Sequence, residues 1–422
     1  MNDYTILAGR LKREILDFSE KICKGLARPE MKLTANVLYG MAESRSCLLS
    51  GIGRALKEPI SLKNTIERLS IGLERLGESQ AMQKNFAEMA RERIDDNTIF
   101  VGDGSDMTKP YGKAFECLEK VRDGSTGELE NGYWTLEFAA LTHGHKTPLP
   151  VYDRVYSVSE AGYKSQTDEL FKALEFLRET FGSKGIRTLD RGYDSNEIYK
   201  EFFRHGELFI IRADKQRNVV CKGKTMNILQ AAKRLKGKYA LPFTAKSGQT
   251  KHCKVSVQTV SLPALPGKQF RLVCLHGLGE EPLMLLTNLE QDDPRLNAAI
   301  VKVYLMRWRI EEHFRFKKQE YGLENFRVRS LKSIRAMHRF ACLLTGFVAL
   351  LSDNRDDSVL FAKLFHISQR IYPPKKNKRN GYFAHYAIAY AISAVLRKTF
   401  VGIRRLLAPP CQQYQLILKG FC

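Results

Sequence analysis

The sequence predicts an α/β protein whose sheet domain is preceded and followed by helices. Strand-like runs rich in β-branched and aromatic residues begin near residue 97, and they soon alternate with helical runs. Helical periodicity dominates before residue 93 and again after residue 294. Such alternation is typical of a sheet covered by helices, in which the later strands run parallel.

These patterns divide the chain into three predicted parts. Residues 1–92 form a helical N-terminal domain, residues 93–345 the α/β domain, and residues 346–422 a C-terminal helical region. Within the α/β domain, residues 215–290 hold further strand-like runs and no convincing helix, so we predict a mostly β insertion there. The basic segment 373–381 is expected to be a solvated linker between two of the C-terminal helices.

The N-terminal domain contains a pattern that occurs in DNA-binding proteins. Residues 38–69 read as a helix, a short polar turn and a basic helix, which is the order of a helix-turn-helix. An ordinary helical hairpin has the same pattern. The sequence therefore leaves both interpretations of this region open.

The charge of the chain indicates a polyanionic partner. There are 68 Lys and Arg residues against 46 Asp and Glu residues, a formal net charge of +22. Nucleic acid and an anionic membrane surface both fit such a surplus. The best apolar stretch, 340–351, is shorter than the ~20 residues that span a bilayer, and the N-terminus lacks the pattern of a secretory signal. We therefore expect a cytoplasmic protein that binds nucleic acid.

Two strand-like runs end in an aspartate. The run IFVGD ends in Asp103 and GIRTLD ends in Asp190, positions that suit a ligand or a metal. A turn-forming aspartate explains either position alone. Asp106 and Asp194 are nearby competitors. We favour Asp103 because it ends the apolar run, and Asp190 because Asp194 lies beyond the Arg-Gly turn, near the start of the next helix.

A predicted helix near residue 300 carries four polar residues on one face. Tyr304, Arg307, Glu311 and Lys318 are separated by three, four and seven residues, which places them within an arc of about 60°. Apolar residues border this stripe, so it should face a groove within the protein. A cation must then compensate Glu311. A metal ion is one candidate, and an intrahelical ion pair with Arg307 is the other.

This spacing resembles the Y-x2-R-x3-E-x6-K signature of the insertion-sequence 4 family of bacterial DDE transposases, which is matched without a gap from Tyr304 to Lys318. The contexts FVGDGSD and LDRGYDS are similar to those of the two catalytic aspartates of the family. A β-rich insertion between the second and third carboxylates is also similar to the family. The resemblance covers approximately residues 95–345.

The resemblance implies a fold and a reaction. The expected fold is an RNase-H-like catalytic core with the β insertion, and the expected activity is cut-and-paste transposition by cleavage at the element ends and strand transfer into target DNA. Asp103, Asp190 and Glu311 would be the catalytic residues and would hold two Mg²⁺ or Mn²⁺ ions, which suit carboxylate oxygens. Water is then the first nucleophile, so Tyr304 is not expected to be one.

The same resemblance implies the partners. Tyr304, Arg307 and Lys318 would hold DNA phosphates, and Arg212 at the end of the strand ELFIIR would contact DNA. The expected partners are double-stranded DNA, as terminal inverted repeats and target, and a second copy of the chain in a homodimeric synaptic complex at the nucleoid. No membrane partner is expected. Two alternatives stay open, an RNase-H-like nuclease without strand transfer and a non-catalytic DNA-binding protein derived from a transposase.

Overall fold

The computed structural model describes residues 2–77, 79–142, 147–244, 250–290, 294–353, 359–371 and 384–403. The predicted linker at 373–381 lies outside the described residues, as does the end of the predicted C-terminal region from residue 404 onwards.

Five helices precede the first strand: α1 (Asn2–Ile22), α2 (Arg28–Ser44), α3 (Leu49–Ala55), α4 (Leu62–Leu76) and α5 (Ala81–Ala90). Local sequence explains where several of them begin. Pro29 lies in the first turn of α2, where its missing N–H costs nothing, and the Ser61 hydroxyl accepts a hydrogen bond from the Asn64 amide at the start of α4. The apolar faces of these helices share one hydrophobic core with helices near the other end of the chain.

The first part of the sheet is mixed, as the sequence predicts. Its elements are β1 (Ile99–Thr108), β2 (Glu119–Arg122), β3 (Leu129–Leu141), β4 (Leu149–Tyr156), α6 (Gln166–Phe181), β5 (Ile186–Leu189), α7 (Asn196–His205) and β6 (Leu208–Arg212). The strands β1 to β4 pair antiparallel through β3, whereas β1, β5 and β6 lie side by side and parallel. The expectation of parallel later strands is therefore confirmed.

One detail of β1 differs from the prediction. The strand does not end at Asp103 but continues to Thr108, because every residue from Ile99 to Thr108 has a partner on β3. Asp103 consequently lies in the middle of a strand. Asp106, the competitor of Asp103, belongs to the same strand.

The region after β6 is rich in strands. It contains β7 (Asn218–Cys221), β8 (Lys224–Asn227), α8 (Ile228–Arg234), β9 (Tyr239–Thr244), β10 (Thr250–Leu262), β11 (Leu265–His276) and β12 (Leu283–Thr287). The strand β12 pairs with β6, so these strands extend the same sheet. The prediction that no helix occurs here is wrong for α8. The Asn227 side chain caps that helix by accepting bonds from the amides of Leu229 and Gln230.

Helices resume after β12 with α9 (Pro294–Met306), α10 (Arg309–Glu320), α11 (Leu331–Asp353), α12 (Val359–Ile371) and α13 (Ala384–Arg397). The single helix predicted around residue 307 is therefore two helices. The Arg307 amide bonds to the Tyr304 carbonyl (2.9 Å) and the Ile310 amide to the Arg307 carbonyl (3.0 Å). These bonds span three residues instead of four, which tightens the backbone between α9 and α10.

The helix α11 is longer than the apolar stretch noticed in the sequence. Residues 331–352 are apolar and long enough to cross a membrane by length and composition, but 89% of the most apolar window is buried inside the protein. Two arginines of α11 are accommodated by ion pairs within the fold, Arg335 with Glu160 (2.6 Å) and Arg339 with Asp153 (3.4 Å). This is the environment of a core helix, which packs against α4, β4 and α13.

Candidate active site

Asp103 and Asp190 lie on neighbouring parallel strands at the same level of the sheet. Gly102 of β1 is in register with Leu189 of β5, and each aspartate is the next residue along the chain. Asp190 begins a short 3-10 turn that follows β5. The parallel pairing therefore brings together the two aspartates that the sequence analysis selected.

The turn between α9 and α10 faces these aspartates. The Tyr304 hydroxyl donates to Asp190 Oδ1 at 3.2 Å. The Arg307 guanidinium donates from Nη1 to Asp103 Oδ2 at 2.6 Å and from Nη2 to Glu311 Oε1 at 2.9 Å. One arginine thus joins carboxylates from a strand and a helix. We call Asp103, Asp190 and Glu311 the open carboxylate cluster.

The charges of this cluster are poorly balanced. Burial raises the pKa of Asp103 to about 6, Arg307 opposes this effect, and the neighbouring charges of Asp190 and Glu311 add to it. Burial favours the neutral form of Arg307, yet the carboxylates of Asp103 and Asp190 raise its pKa above the ordinary value. A single guanidinium therefore does not compensate three carboxylates.

The donor atoms of the open carboxylate cluster fit a hard divalent cation. Carboxylate oxygens are the ligands that Mg²⁺ and Mn²⁺ prefer. The Glu311 side chain is 40% exposed and that of Asp103 19% exposed, so the cluster is accessible from solvent. A divalent ion bound there would oppose the effect of burial and of the neighbouring carboxylates, which together raise the pKa of Asp103.

Tyr304 is held as a neutral phenol beside Asp190. Burial raises its pKa to about 12, and the negative charge of Asp190 acts in the same direction. The hydroxyl is therefore protonated at neutral pH and can act as a hydrogen-bond donor. This state does not suit a phenolate nucleophile.

The competing aspartates have other partners. Asp106 accepts bonds from Lys318 Nζ (2.8 Å) and from the Gly124 amide (3.1 Å). Asp194 accepts a bond from the Tyr199 hydroxyl (2.6 Å) and forms an ion pair with Arg217 (2.6 Å). Both carboxylates are thus engaged within the fold, and the choice of Asp103 and Asp190 over them stays a prediction.

Lys318 extends from the same side of α10 as Glu311, but its ammonium lies between carboxylates. Its Nζ is 2.8 Å from Asp106 Oδ2 and 3.0 Å from Glu324 Oε1. Burial opposes its charge, yet Glu324 and Asp106 raise its pKa above the ordinary value. To contact DNA as predicted, the Lys318 ammonium must either bind DNA while it keeps its two acidic partners or leave those partners.

A basic groove opens beside Tyr304 and Arg307. Its volume of about 590 Å³ is within the range that holds a small ligand or one nucleotide of a bound strand. Besides those two residues and several apolar ones, its charged and aromatic lining consists of Arg191, Arg212, Lys215, Trp308 and one acid, Glu281, which pairs with Lys215 at 3.8 Å. The sequence analysis selected Arg212 and missed Arg191 and Trp308. A signal was available in the sequence, because Arg191 directly follows Asp190 and Trp308 directly follows Arg307.

A second group of ionisable residues is fully buried on the adjacent strand. Glu137 of β3 is the cross-strand partner of Asp103 and is 1% exposed. Both of its oxygens contact Lys317 Nζ, and it accepts hydrogen bonds from His313 Nε2 at 2.8 Å and His338 Nε2 at 3.0 Å. We call Glu137, His313, Lys317 and His338 the buried cluster. The sequence analysis missed it, although a glutamate in the apolar run YWTLEFAAL was a usable signal.

Two residues of the buried cluster form a second candidate set of metal ligands together with Cys342 of α11. The ligand atoms of Glu137, His313 and Cys342 lie within 4.8 Å of one another. The Lys317 ammonium contacts both Glu137 oxygens and lies 3.3 Å from Cys342 Sγ. Although burial favours the protonated acid, Lys317 and His338 hold the pKa of Glu137 well below its usual range. A cation of the protein itself therefore already neutralises this carboxylate.

Comparison with known proteins gives one family match. The family model described as "Transposase DDE domain" matches residues 154–345. A transposase DDE domain is therefore present in this part of the chain, which includes Asp190, Arg212 and the segment from Tyr304 to Lys318 and begins after Asp103. No curated protein sequence matches the chain.

Several solved structures are similar to the chain. One is the "Cryo-EM structure of piggyBac transposase synaptic complex with hairpin DNA", with 10% identity over 96% of this chain and 81% of that chain and a TM-score of 0.45. A likeness this loose carries no argument about the site.

Proposed function

We propose that this chain is a DDE transposase of the cut-and-paste type, similar to the insertion-sequence 4 family. It would cleave DNA at element ends and transfer the strand into target DNA, using an RNase-H-like core. The observation that carries the proposal is the convergence of Asp103, Asp190 and Glu311 from β1, the end of β5 and α10, beside a basic groove. The transposase DDE match over residues 154–345 supports the same reaction class.

Asp103, Asp190 and Glu311 are the proposed ligands of two Mg²⁺ or Mn²⁺ ions. When bound, such ions stabilise the charge on the attacking and leaving oxygens of a phosphodiester. The chain's own contribution is to hold three oxygen donors in place. The Tyr304 hydroxyl orients Asp190 through its hydrogen bond, and Arg307 orients Asp103 and Glu311.

The proposed DNA path runs along the basic groove. Arg212 at the exposed end of β6 supplies a charge for a phosphate, and Trp308 supplies an aromatic surface. The solvent-facing part of the Arg307 guanidinium is proposed to contact a DNA phosphate that lies next to the carboxylates. Tyr304 and Lys318 are proposed to contribute from the same side, Lys318 by leaving its acidic partners.

The remaining parts of the chain are proposed to serve assembly. The helices of residues 1–92 would bind the terminal inverted repeats, and two copies of the chain would pair the element ends in a synaptic complex. The net charge of +22 suits a protein that contacts both donor and target DNA in the cytoplasm, at the nucleoid.

Strand transfer is the decisive test. Pre-cleaved donor duplexes carrying the DNA that flanks the gene are incubated with supercoiled target plasmid and Mg²⁺, and joined products are counted by sequencing. The proposal predicts joined products that disappear with EDTA and with Asp190→Asn. Metal-dependent nicking without joined products would instead indicate an RNase-H-like nuclease, and DNA binding without any cleavage would indicate a non-catalytic DNA-binding protein.

A further inference from the structure

The buried cluster lies directly next to the open carboxylate cluster. Asp103 and Glu137 are cross-strand partners in the antiparallel pair of β1 and β3, so both side chains project from the same face of the sheet, with Cβ atoms about 5 Å apart. Two carboxylates at this spacing repel each other unless each has its own cation. Lys317 supplies such a cation to Glu137, whereas Asp103 shares the Arg307 guanidinium with Glu311.

The helix α10 joins both clusters through one broad face. At about 100° per residue, His313 and Lys317 lie on one margin of that face and Glu311 and Lys318 on the other, about 100° to 160° away. Ile310 is fully buried between these margins, in an apolar cluster with β1.

The apolar strip of Ile310 and Phe314 packs α10 against the sheet, but its non-directional contacts fix the rotation about the helix axis less sharply than hydrogen bonds and ion pairs do. Directional contacts exist at the two margins. On one margin, Lys317 and His313 bind the buried Glu137. On the other margin, Glu311 belongs to the open carboxylate cluster, and the partly exposed Lys318 pairs with Asp106 and Glu324. The first margin is completely enclosed, so its contacts are the ones that solvent and DNA cannot replace.

We propose that Glu137 is a positioning residue for the open carboxylate cluster, because its contacts with Lys317 and His313 fix the rotation of α10 that directs Glu311 towards Asp103. The inference rests on the proposed function. It assigns a role in the metal site to a residue that touches neither metal nor DNA. His338 of α11 also holds the Glu137 carboxylate in place, through a hydrogen bond from its Nε2 to Glu137 Oε1.

The test separates the position of α10 from the stability of the fold. Glu137→Gln alone leaves the buried Lys317 ammonium without its carboxylate, so the main variant is the double variant Glu137→Gln/Lys317→Met. Removing both charges of a buried pair together is often nearly neutral for stability. The matched control is Arg154→Met/Glu169→Gln, which removes an ion pair (3.2 Å) that joins α6 to β4 of the same sheet, with Glu169 buried.

Four quantities are measured on the full chain: the melting temperature without metal, the dissociation constant of Mn²⁺ by isothermal titration calorimetry, and kcat and KM for Mn²⁺-dependent plasmid nicking. We expect Glu137→Gln/Lys317→Met to keep a melting temperature close to that of the control variant. Its Mn²⁺ affinity should fall about 10-fold or more, as for other residues that orient metal ligands. Its kcat should fall while KM for DNA stays unchanged.

A second variant keeps the test decisive if the double variant does not fold. His313→Leu leaves Glu137 paired with Lys317 and His338, and it should weaken Mn²⁺ binding in the same direction by about threefold, the equivalent of one weak hydrogen bond. Wild-type Mn²⁺ affinity in whichever of these variants folds would overturn the proposal.

Asp103→Asn distinguishes this failure from failure of the proposed function. If Asp103→Asn weakens Mn²⁺ binding and the buried-cluster variants do not, only the positioning role is wrong. If Asp103→Asn itself binds Mn²⁺ as the wild type does, the metal site is wrong and the positioning role falls with it.

Discussion

The open carboxylate cluster and the buried cluster are neighbours through β1 and β3, and the pKa values of Asp103 and Glu137 are shifted in opposite directions. Glu137 is enclosed by an ammonium and two imidazoles, and its pKa is held well below the usual range although burial opposes this. Asp103 shares one guanidinium with Glu311, and burial raises its pKa to about 6. A carboxylate such as Glu137, whose charge is balanced by cations of the protein, stabilises the fold. A carboxylate such as Asp103, whose charge is only partly balanced, is available to bind a metal ion.

The largest expected difference between the clusters is in catalysis. Glu311→Gln should lower metal-dependent cleavage by about 1000-fold, because a metal ligand stabilises the transition state by several kcal/mol. The free energy of unfolding should change by less than about 0.5 kcal/mol, since the Glu311 side chain is 40% exposed. Single-turnover cleavage and urea denaturation check the two halves. Cleavage within tenfold of wild type would remove Glu311 from the active site.

Stability should respond most in the buried cluster. Glu137→Gln leaves the Lys317 ammonium buried without its carboxylate, which should lower the free energy of unfolding by about 3 kcal/mol or more. Urea denaturation in the presence of EDTA measures this loss. Adding Lys317→Met should restore most of it, and equal stability of the wild type and Glu137→Gln would contradict the interpretation of Glu137 as a structural charge.

The pH dependence of stability should reveal the charge deficit at Asp103. Its folded pKa of about 6 lies above the ordinary value of 3.8, so the folded state binds a proton that the unfolded state releases between these values. The wild type should therefore lose about 2 kcal/mol relative to Asp103→Asn as the pH rises from 4 to 7. Urea denaturation at four pH values in EDTA measures the difference. If the wild type instead gains stability relative to Asp103→Asn as the pH rises, the folded pKa of Asp103 is not raised.

The smallest expected effect concerns the groove beside the open carboxylate cluster. Arg212→Ala should weaken DNA binding and reduce the slope of log K against log salt by about one unit, because one phosphate contact releases about one counterion. Binding isotherms of a short duplex at several salt concentrations provide the slope. Lys268→Ala on β11 is the control, because Lys268 does not line the groove, and an equal loss of slope in both variants would mean that the groove is not the DNA path.

The local features of this chain follow from its sequence. The net charge of +22, the strand rich in apolar residues before Asp103, and the helical periodicity around Glu311 are all properties of contiguous residues. The mixed α/β architecture with helices at both ends was predicted from the same patterns and is confirmed. The DDE character rested on the spacing from Tyr304 to Lys318, and the match over residues 154–345 supports it.

Tertiary structure alone decided the pairings. The register of β1 with β3 extends the first strand to Thr108 and places Glu137 opposite Asp103, which no local pattern could reveal because the two residues are distant in sequence. The tightened backbone at Arg307 depends on contacts from two strands, and α8 is too short for helical periodicity to identify it. Packing decides which carboxylates lie next to a cation of the protein and which have their charge only partly balanced. The sequence does not show this, because the cations that balance Asp103 and Glu137 are close in space but distant along the chain.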